Sequence, residues 1–280
     1  LTQDAERNPS HREIVFLDMG TLSANLIRYP AGHGMKPHTD GCRRLSVVVF
    51  GDLAEGDRRT VEAGAVGSVG LKAPDFVHET RFGPAGACIV SAILPDPLVR
   101  RIGSSPESLA AWRWVHDGAA SLAGLRLASA LWRRDGDVAE AALTTLLAGF
   151  LDDRRSEVPP SVPLARVRER LHDVGEPPNV KRLARQVGMH PGALNRAFRR
   201  AFGCSLTRYR QRVRVNGVAR ALIRSDEELA QVALRFGFAD LSHMTRVFGR
   251  ELSVSPGAFR AAMRDVRGFE SFKTEWAVPA

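Results

Sequence analysis

A chain of 280 residues with 44% hydrophobic and 25% charged residues has the apolar content for two folded domains, which excludes a mainly disordered protein. Its longest strongly apolar stretch, Leu143 to Leu151, is too short to span a bilayer, the opening LTQDAERNPS lacks the apolar run of a signal peptide, and the isolated Cys42, Cys88 and Cys204 fit neither a disulfide framework nor a zinc cluster. A soluble cytoplasmic protein with reduced thiols and no membrane partner is the expectation, and the net charge of +9 points toward a polyanion.

In chain order, residues 13–94 alternate short β-type runs, EIVFLDM, LSANLIRY, LSVVVF and GACIVSAIL, with Gly, Pro and Asp breaks. Such runs predict a small antiparallel sandwich or barrel over residues 1–95. Past Pro95 and Pro97 the pattern turns to alanine- and leucine-rich helical spacing, clearest at Leu143, Leu146, Leu147, Phe150 and Leu151, which share one face. These helices, within residues 96–155, are expected either to pack on the β domain or to pair two subunits as a homodimer. The run SEVPPSVP at 156–163 interrupts the helical pattern and reads as a linker.

Cutting the chain there separates its charge. Residues 161–280 carry 22 Lys and Arg against 11 Asp and Glu, a balance of +11, and the remainder carries 18 against 20. Between Glu176 and Asp226 there is no acidic residue, while Lys181, Arg182, Arg185, Arg196, Arg199, Arg200, Arg208, Arg210, Arg212, Arg214, Arg220 and Arg224 all fall in that interval. A merely solvated basic face mixes in acids for i,i+4 pairing, and this one does not, so nucleic acid is the expected partner.

Within the basic half, AFRRAFGCSLTRYR at 197–210 returns in outline as VFGRELSVSPGAFR at 247–260. After two prolines, Asn179 starts a short helix, NVKRLARQVG, that stops at Gly188; HPGALNRAFRRAFG follows, with Pro191 in its first turn and Gly203 at its end. Leu194, Ala197, Phe198, Ala201 and Phe202 fall on one face of this second helix, and Asn195, Arg196, Arg199 and Arg200 on the other. The second copy reads EELAQVALRFGF, with Gly237, then DLSHMTRVFGREL. Here Met244, Val247, Phe248 and Leu252 are expected inward and Ser242, His243, Thr245, Arg246 and Arg250 outward. Ser205 and Ser255 stand where each can N-cap the following helix, and Tyr209 and Phe259 where each can anchor it. Two short helices around a Gly turn, with one basic face, are the layout of a helix-turn-helix that reads DNA. Helix 206–224 between the copies would measure about 28 Å, nearly the ~34 Å of one duplex turn.

Gly237-Phe238, Asp240, Ser242, Phe248, Ser255-Pro256 and Phe259-Arg260 stand at fixed spacing, and with them residues 165–267 resemble the AraC/XylS family of transcriptional regulators, whose C-terminal domain holds two helix-turn-helix units joined by one long helix. Met244 departs from the family's usual Phe and Ser253 from its usual Gly. The resemblance implies an α+β multidomain fold: an N-terminal cupin-like antiparallel β-barrel or sandwich, middle helices, and an all-α double helix-turn-helix domain at 164–268. Its units would be 179–203 and 227–252, with a tail at 269–280. It also implies a sequence-specific, effector-controlled regulator of transcription rather than an enzyme, with double-stranded DNA and RNA polymerase as partners.

Base contacts are expected from the start of each recognition helix: Gly192, Ala193, Asn195 and Arg196 in the first, Ser242, His243, Thr245 and Arg246 in the second. Arginine pairs bidentately with guanine and asparagine with adenine, so Asn195, Arg196 and Arg246 are the sharpest candidates. Arg199, Arg200 and Arg250, further along, are expected on phosphate. In the N-terminal part, Gly32, His38, Asp40, Gly67, Pro74 and His78 resemble the skeleton of the two cupin motifs. A metal-binding cupin has a second His where Asp40 stands and a Glu shortly after, where this chain has Arg43 and Arg44. His38, Asp40 and His78 are therefore candidates for an effector pocket. As a 2-His-1-carboxylate face, with His33 and Glu79 near in sequence, they are also the one candidate set for iron or manganese, but the incomplete set argues for no metal and no cofactor. A cupin-type metalloenzyme fused to a DNA-binding domain is the alternative. A methyl-accepting alkylation-response protein would need a cysteine cluster, and Cys42 and Cys88 stand alone.

Overall fold

Two long strands, β4 (Arg44–Gly56) and β7 (His78–Ile93), form the spine of the N-terminal sheet. The structure, a computed structural model, describes residues 12–18, 23–57, 59–101, 109, 112–116, 118–154, 161–172 and 179–268. Around the spine lie β1 (Arg12–Asp18), β2 (Ser23–Tyr29), β3 (Gly34–His38), β5 (Val61–Ala65), β6 (Val69–Lys72) and β8 (Arg113–Val115). The order is β1-β2-β7-β4-β6-β8, with β3 on β7 and β5 on β4, and every pairing is antiparallel. Register shifts between Val48 and Phe50 and between Gly51 and Leu53 interrupt the β4–β7 ladder, the kind of bulge that bends a sheet. At this bend Gly51 has φ +71°, and a Cβ there would stand 1.9 Å from the carbonyl oxygen of Gly86. The first half of β4 therefore pairs with β6 and its second half with β5. Likewise the first half of β7 takes β3 and its second half takes β2. That split lays His38 directly across from His78.

Helix α1 (Asp96–Arg101) is short; α2 (Gly118–Trp132) and α3 (Gly136–Arg154) form an antiparallel pair. Alanines and leucines bury nearly all of α2, and Gly124 lets it lie close on the sheet, since a Cβ there would meet Val47 at 2.7 Å. Leu143, Leu146 and Leu147 are buried as their spacing predicts; the side chains of Phe150 and Leu151 lie outside the described residues. The C-terminal half is helical: α4 (Val162–His172), α5 (Val180–Gln186), α6 (Pro191–Phe202), α7 (Leu206–Arg224), α8 (Leu229–Arg235), α9 (Leu241–Leu252) and α10 (Pro256–Gly268). Antiparallel sheet and helical half together give the α+β architecture expected from the sequence. Of the stretch read as a linker, residues 156–160 lie outside the described residues, as does the tail 269–280, and Val162 and Pro163 already belong to α4. Among the described residues no helix is long and apolar enough to cross a membrane.

The cores do not divide where the charge divides. One continuous cluster runs from Leu26, Leu45 and Val90 in the sheet through Leu125 and Leu146 to Val215, Val218, Leu222, Val232, Phe248 and Phe259. A second cluster, Leu164, Val167, Leu183, Leu194, Phe198, Leu206 and Tyr209, packs the first helix-turn-helix unit against α4 and the start of α7. Helix α7 enters both, so the second unit is packed on the N-terminal half while the first keeps its own core.

Candidate nucleic-acid interface

Local chemistry explains each helix of the repeat. Asn179 Oδ1 accepts from the Lys181 amide at 2.8 Å and starts α5; Val187 and Gly188, the latter at φ +65°, end it. Pro191 opens α6, where His190 Nδ1 accepts the Gly192 amide at 3.2 Å, and Gly203 closes it at φ +67°. In the second copy Asp240 Oδ1 caps α9 through the His243 amide at 2.6 Å. Ser205 and Ser255 cap the helices that follow, each taking an amide at 3.2 Å. The turns share one hydrogen-bond pattern: Met189 donates to the Ala184 carbonyl and Phe238 to that of Ala233, both at 2.9 Å. The second turn is one residue longer, since its cap falls three residues after Gly237 whereas His190 falls two after Gly188.

Each unit is closed by the same aromatic clasp. Phe198 meets Tyr209 edge-on at 5.4 Å, and Phe248 meets Phe259 edge-on at 5.4 Å. This is the physical content of the repeat: an inward Phe on the recognition helix packs on the aromatic ring one turn into the next helix, a geometry aromatic pairs prefer. Met244 is wholly buried where the family's Phe would be. Ser253 ends α9 at φ +57°, the left-handed conformation that Gly203 supplies without strain in the first unit.

Asn195, Arg196, Arg199 and Arg200 are exposed on α6, with Gly192 and Ala193 half-buried; Ser242, Arg246 and Arg250 are exposed on α9, with His243 and Thr245 half-buried. The His243 ring stands edge-on to Phe238 at 5.4 Å, and the Arg214 guanidinium lies over the Phe238 ring, 3.9 Å from its centroid, while donating to the Phe236 carbonyl at 2.7 Å. Between the units, Glu251 of α9 accepts from Arg208 and Gln211 of α7, both at 3.1 Å, and so ties the end of the second recognition helix to the start of the connecting helix. The 19 residues of α7 span about 28 Å.

On the opposite half, α2 and the loop before it touch α7. Ser121 donates to Asn216 Oδ1 at 3.2 Å, and Arg220 to the His116 carbonyl at 2.7 Å. Inside the sheet, His38, Asp40 and His78 each offer one ligand atom within 4.8 Å of the others, so the structure brings these candidates together. Two residues that the sequence did not single out join them. Lys72 Nζ lies 3.3 Å from Asp40 Oδ2, 3.2 Å from Glu55 Oε2 and 3.2 Å from His78 Nε2. Burial, the largest single influence, would raise the carboxyls of Asp40 and Glu55, but Lys72 together with Arg44 and His78 at Asp40, and with His78 and the Trp112 hydrogen bond at Glu55, holds both below their ordinary values. Burial pulls the Lys72 ammonium down, yet Glu55 and Asp40 leave it raised. Burial and then Lys72 lower His78, so its ring stays neutral and its 3.8 Å approach to Asp40 is not an ion pair. Arg44 reaches Asp40 at 3.2 Å, whereas Arg43 turns away to Asp96 and the carbonyls of Leu94 and Leu109. His33 stacks on Phe82 and Glu79 pairs with Arg81, both apart from the cluster.

Comparison with known proteins places this geometry. Residues 183–262 match the model of a helix-turn-helix domain. "Probable transcription factor PqrA" of Proteus vulgaris is 30% identical over 94 residues, 33% of this chain and 77% of that protein. The transcriptional activator RhaR of Klebsiella pneumoniae is 28% identical over 85 residues, 30% of each chain. Among solved structures, the DNA-binding domain of the global transcriptional factor AdpA, in complex with a target DNA, is 34% identical, covering 39% of this chain and 98% of that one at a TM-score of 0.35. The chain belongs to the AraC/XylS family of DNA-binding transcriptional regulators.

Proposed function

We propose that the protein reads a two-part site on double-stranded DNA, with α6 and α9 entering successive major grooves on one face of the duplex. Asn195 and Arg196, beside Gly192 and Ala193, and Arg246, beside Ser242, His243 and Thr245, contact bases; Arg199, Arg200 and Arg250 hold phosphate. The observation that carries this reading is the pair of capped helices, each clasped by the same aromatic contact, each with an exposed basic face, and joined by α7, which is about 28 Å long. Gly192 and Ala193 have little to read with, so α9 supplies the larger share of specificity.

Control of transcription then follows from the shared core. A small-molecule effector or partner acting on the sheet reaches α7 and α9 through α2, because these pack in one cluster. RNA polymerase is the partner of the bound complex, and a second copy of the chain is a further one. The test is a contrast of two arginines. Arg246→Ala should cost about 1–3 kcal/mol on the specific site and almost nothing on unrelated DNA, whereas Arg250→Ala should weaken all sequences alike. Equal losses on both DNAs from both variants would show that the recognition face is misplaced.

A further inference from the structure

The two histidines of the sheet are prepared in the same way. His38 Nδ1 lies 2.8 Å from the Lys36 carbonyl and His78 Nδ1 lies 3.0 Å from the Phe76 carbonyl. An imidazole that donates Nδ1–H to a carbonyl keeps the lone pair on Nε2, and this is the tautomer and the outer support that metal-binding histidines carry. Asp40 adds a carboxylate, and Glu55, which β4 places between β5 and β7, adds another, held by Thr80 at 3.3 Å and Trp112 at 3.1 Å. Nitrogen and carboxylate ligands in this mixture suit zinc, manganese, iron or cobalt.

Lys72 stands among them. Its ammonium has three hydrogens and no lone pair, and three acceptors surround it: His78 Nε2 at 3.2 Å, Glu55 Oε2 at 3.2 Å and Asp40 Oδ2 at 3.3 Å. A buried Glu55 beside a largely covered Asp40 would be strongly unfavourable without a cation; Arg44 reaches Asp40 at 3.2 Å, and the Lys72 charge is the one that lies between the two carboxylates. We propose that this is a metal-type ligand set whose resident cation is the Lys72 ammonium. The wild-type site therefore takes up no divalent transition metal, and deleting the amine turns it into a divalent-cation site.

The experiment titrates cobalt(II) into chelator-treated full-length wild type, Lys72→Met, and Lys72→Met with His78→Ala, reading bound metal by elemental analysis and ligand geometry by the visible d–d bands. Wild type should bind none, Lys72→Met one equivalent, and the double variant none. One equivalent on wild type that is lost in His78→Ala would overturn the proposal, as would a folded Lys72→Met that binds no cobalt. If Lys72→Met folds only when refolded with cobalt or zinc, the metal has replaced the amine and the proposal stands. If metal does not restore its fold, these residues are not a ligand set and the proposal fails.

Discussion

The contact that joins the two halves can be tested on one hydrogen bond. Ser121 of α2 and Asn216 of α7 are both buried, Ser121 Oγ donates to Asn216 Oδ1 at 3.2 Å, and Asn216 Nδ2 has no partner among the described residues. Ser121→Ala leaves the whole buried amide without a partner and should cost about 1–3 kcal/mol. Asn216→Leu replaces the amide by an apolar group of nearly the same shape, and the stranded Ser121 hydroxyl can turn to a carbonyl of its own helix, so the cost is about 0–1 kcal/mol. The double variant has no stranded polar group and should lie within about 1 kcal/mol of wild type, more stable than Ser121→Ala alone. The cycle then gives a coupling of about 1–2 kcal/mol. Urea unfolding followed by tryptophan fluorescence, with Trp112, Trp114 and Trp132 in the N-terminal half, measures all four proteins. Singles that add to within about 0.5 kcal/mol would mean that α2 and α7 do not share a core through this pair.

Ser253 pays for a left-handed conformation, so Ser253→Gly should raise stability by about 0.5–1 kcal/mol and the reciprocal Gly203→Ser should lower it by a similar amount, read from denaturant midpoints. The N-terminal sheet should weaken in two steps on acidification. His78 is lowered in the fold, so below its unfolded value near 6.5 the unfolded chain binds a proton that the buried ring refuses, and stability falls as pH drops from about 6.5. Asp40 and Glu55 are also lowered; their contribution is full above about 4 and is lost as pH falls through their lower folded values. His78→Gln should abolish the first step and spare the second in urea midpoints measured across pH; a first step that survives would assign it to another group.

What the sequence showed and what it hid differ in range. Asn179, Ser205, Ser255, Gly188 and Gly203 act on amides and carbonyls a few residues away, so cap and turn chemistry read directly from the string. His190 gave no such signal, because histidine is not among the usual capping residues. His38, Asp40 and His78 were named from motif spacing, but Glu55 and Lys72 meet them only through the bulged register of β4 against β7 and the pairing of β4 with β6, which no local pattern encodes. The same holds for the shared core. Composition divides the chain at a proline-rich run, whereas the contacts of α7 with α2 join residues 95 positions apart, and an apolar face on α7 looks the same in sequence whichever helix covers it.

The central claim is that two recognition helices at a fixed spacing read one DNA site, and inserting base pairs between its two subsites tests it most directly. About five added base pairs rotate the second subsite by roughly half a turn to the far side of the duplex, so binding of the full-length protein should drop toward that of one unit and the footprint should shorten. About ten added base pairs should not restore it, because α7 is a stiff link of about 28 Å and cannot reach across another turn. Affinity and footprint unchanged by the five-pair insertion would contradict the account, leaving a single unit to read DNA and the repeat as a matter of packing alone.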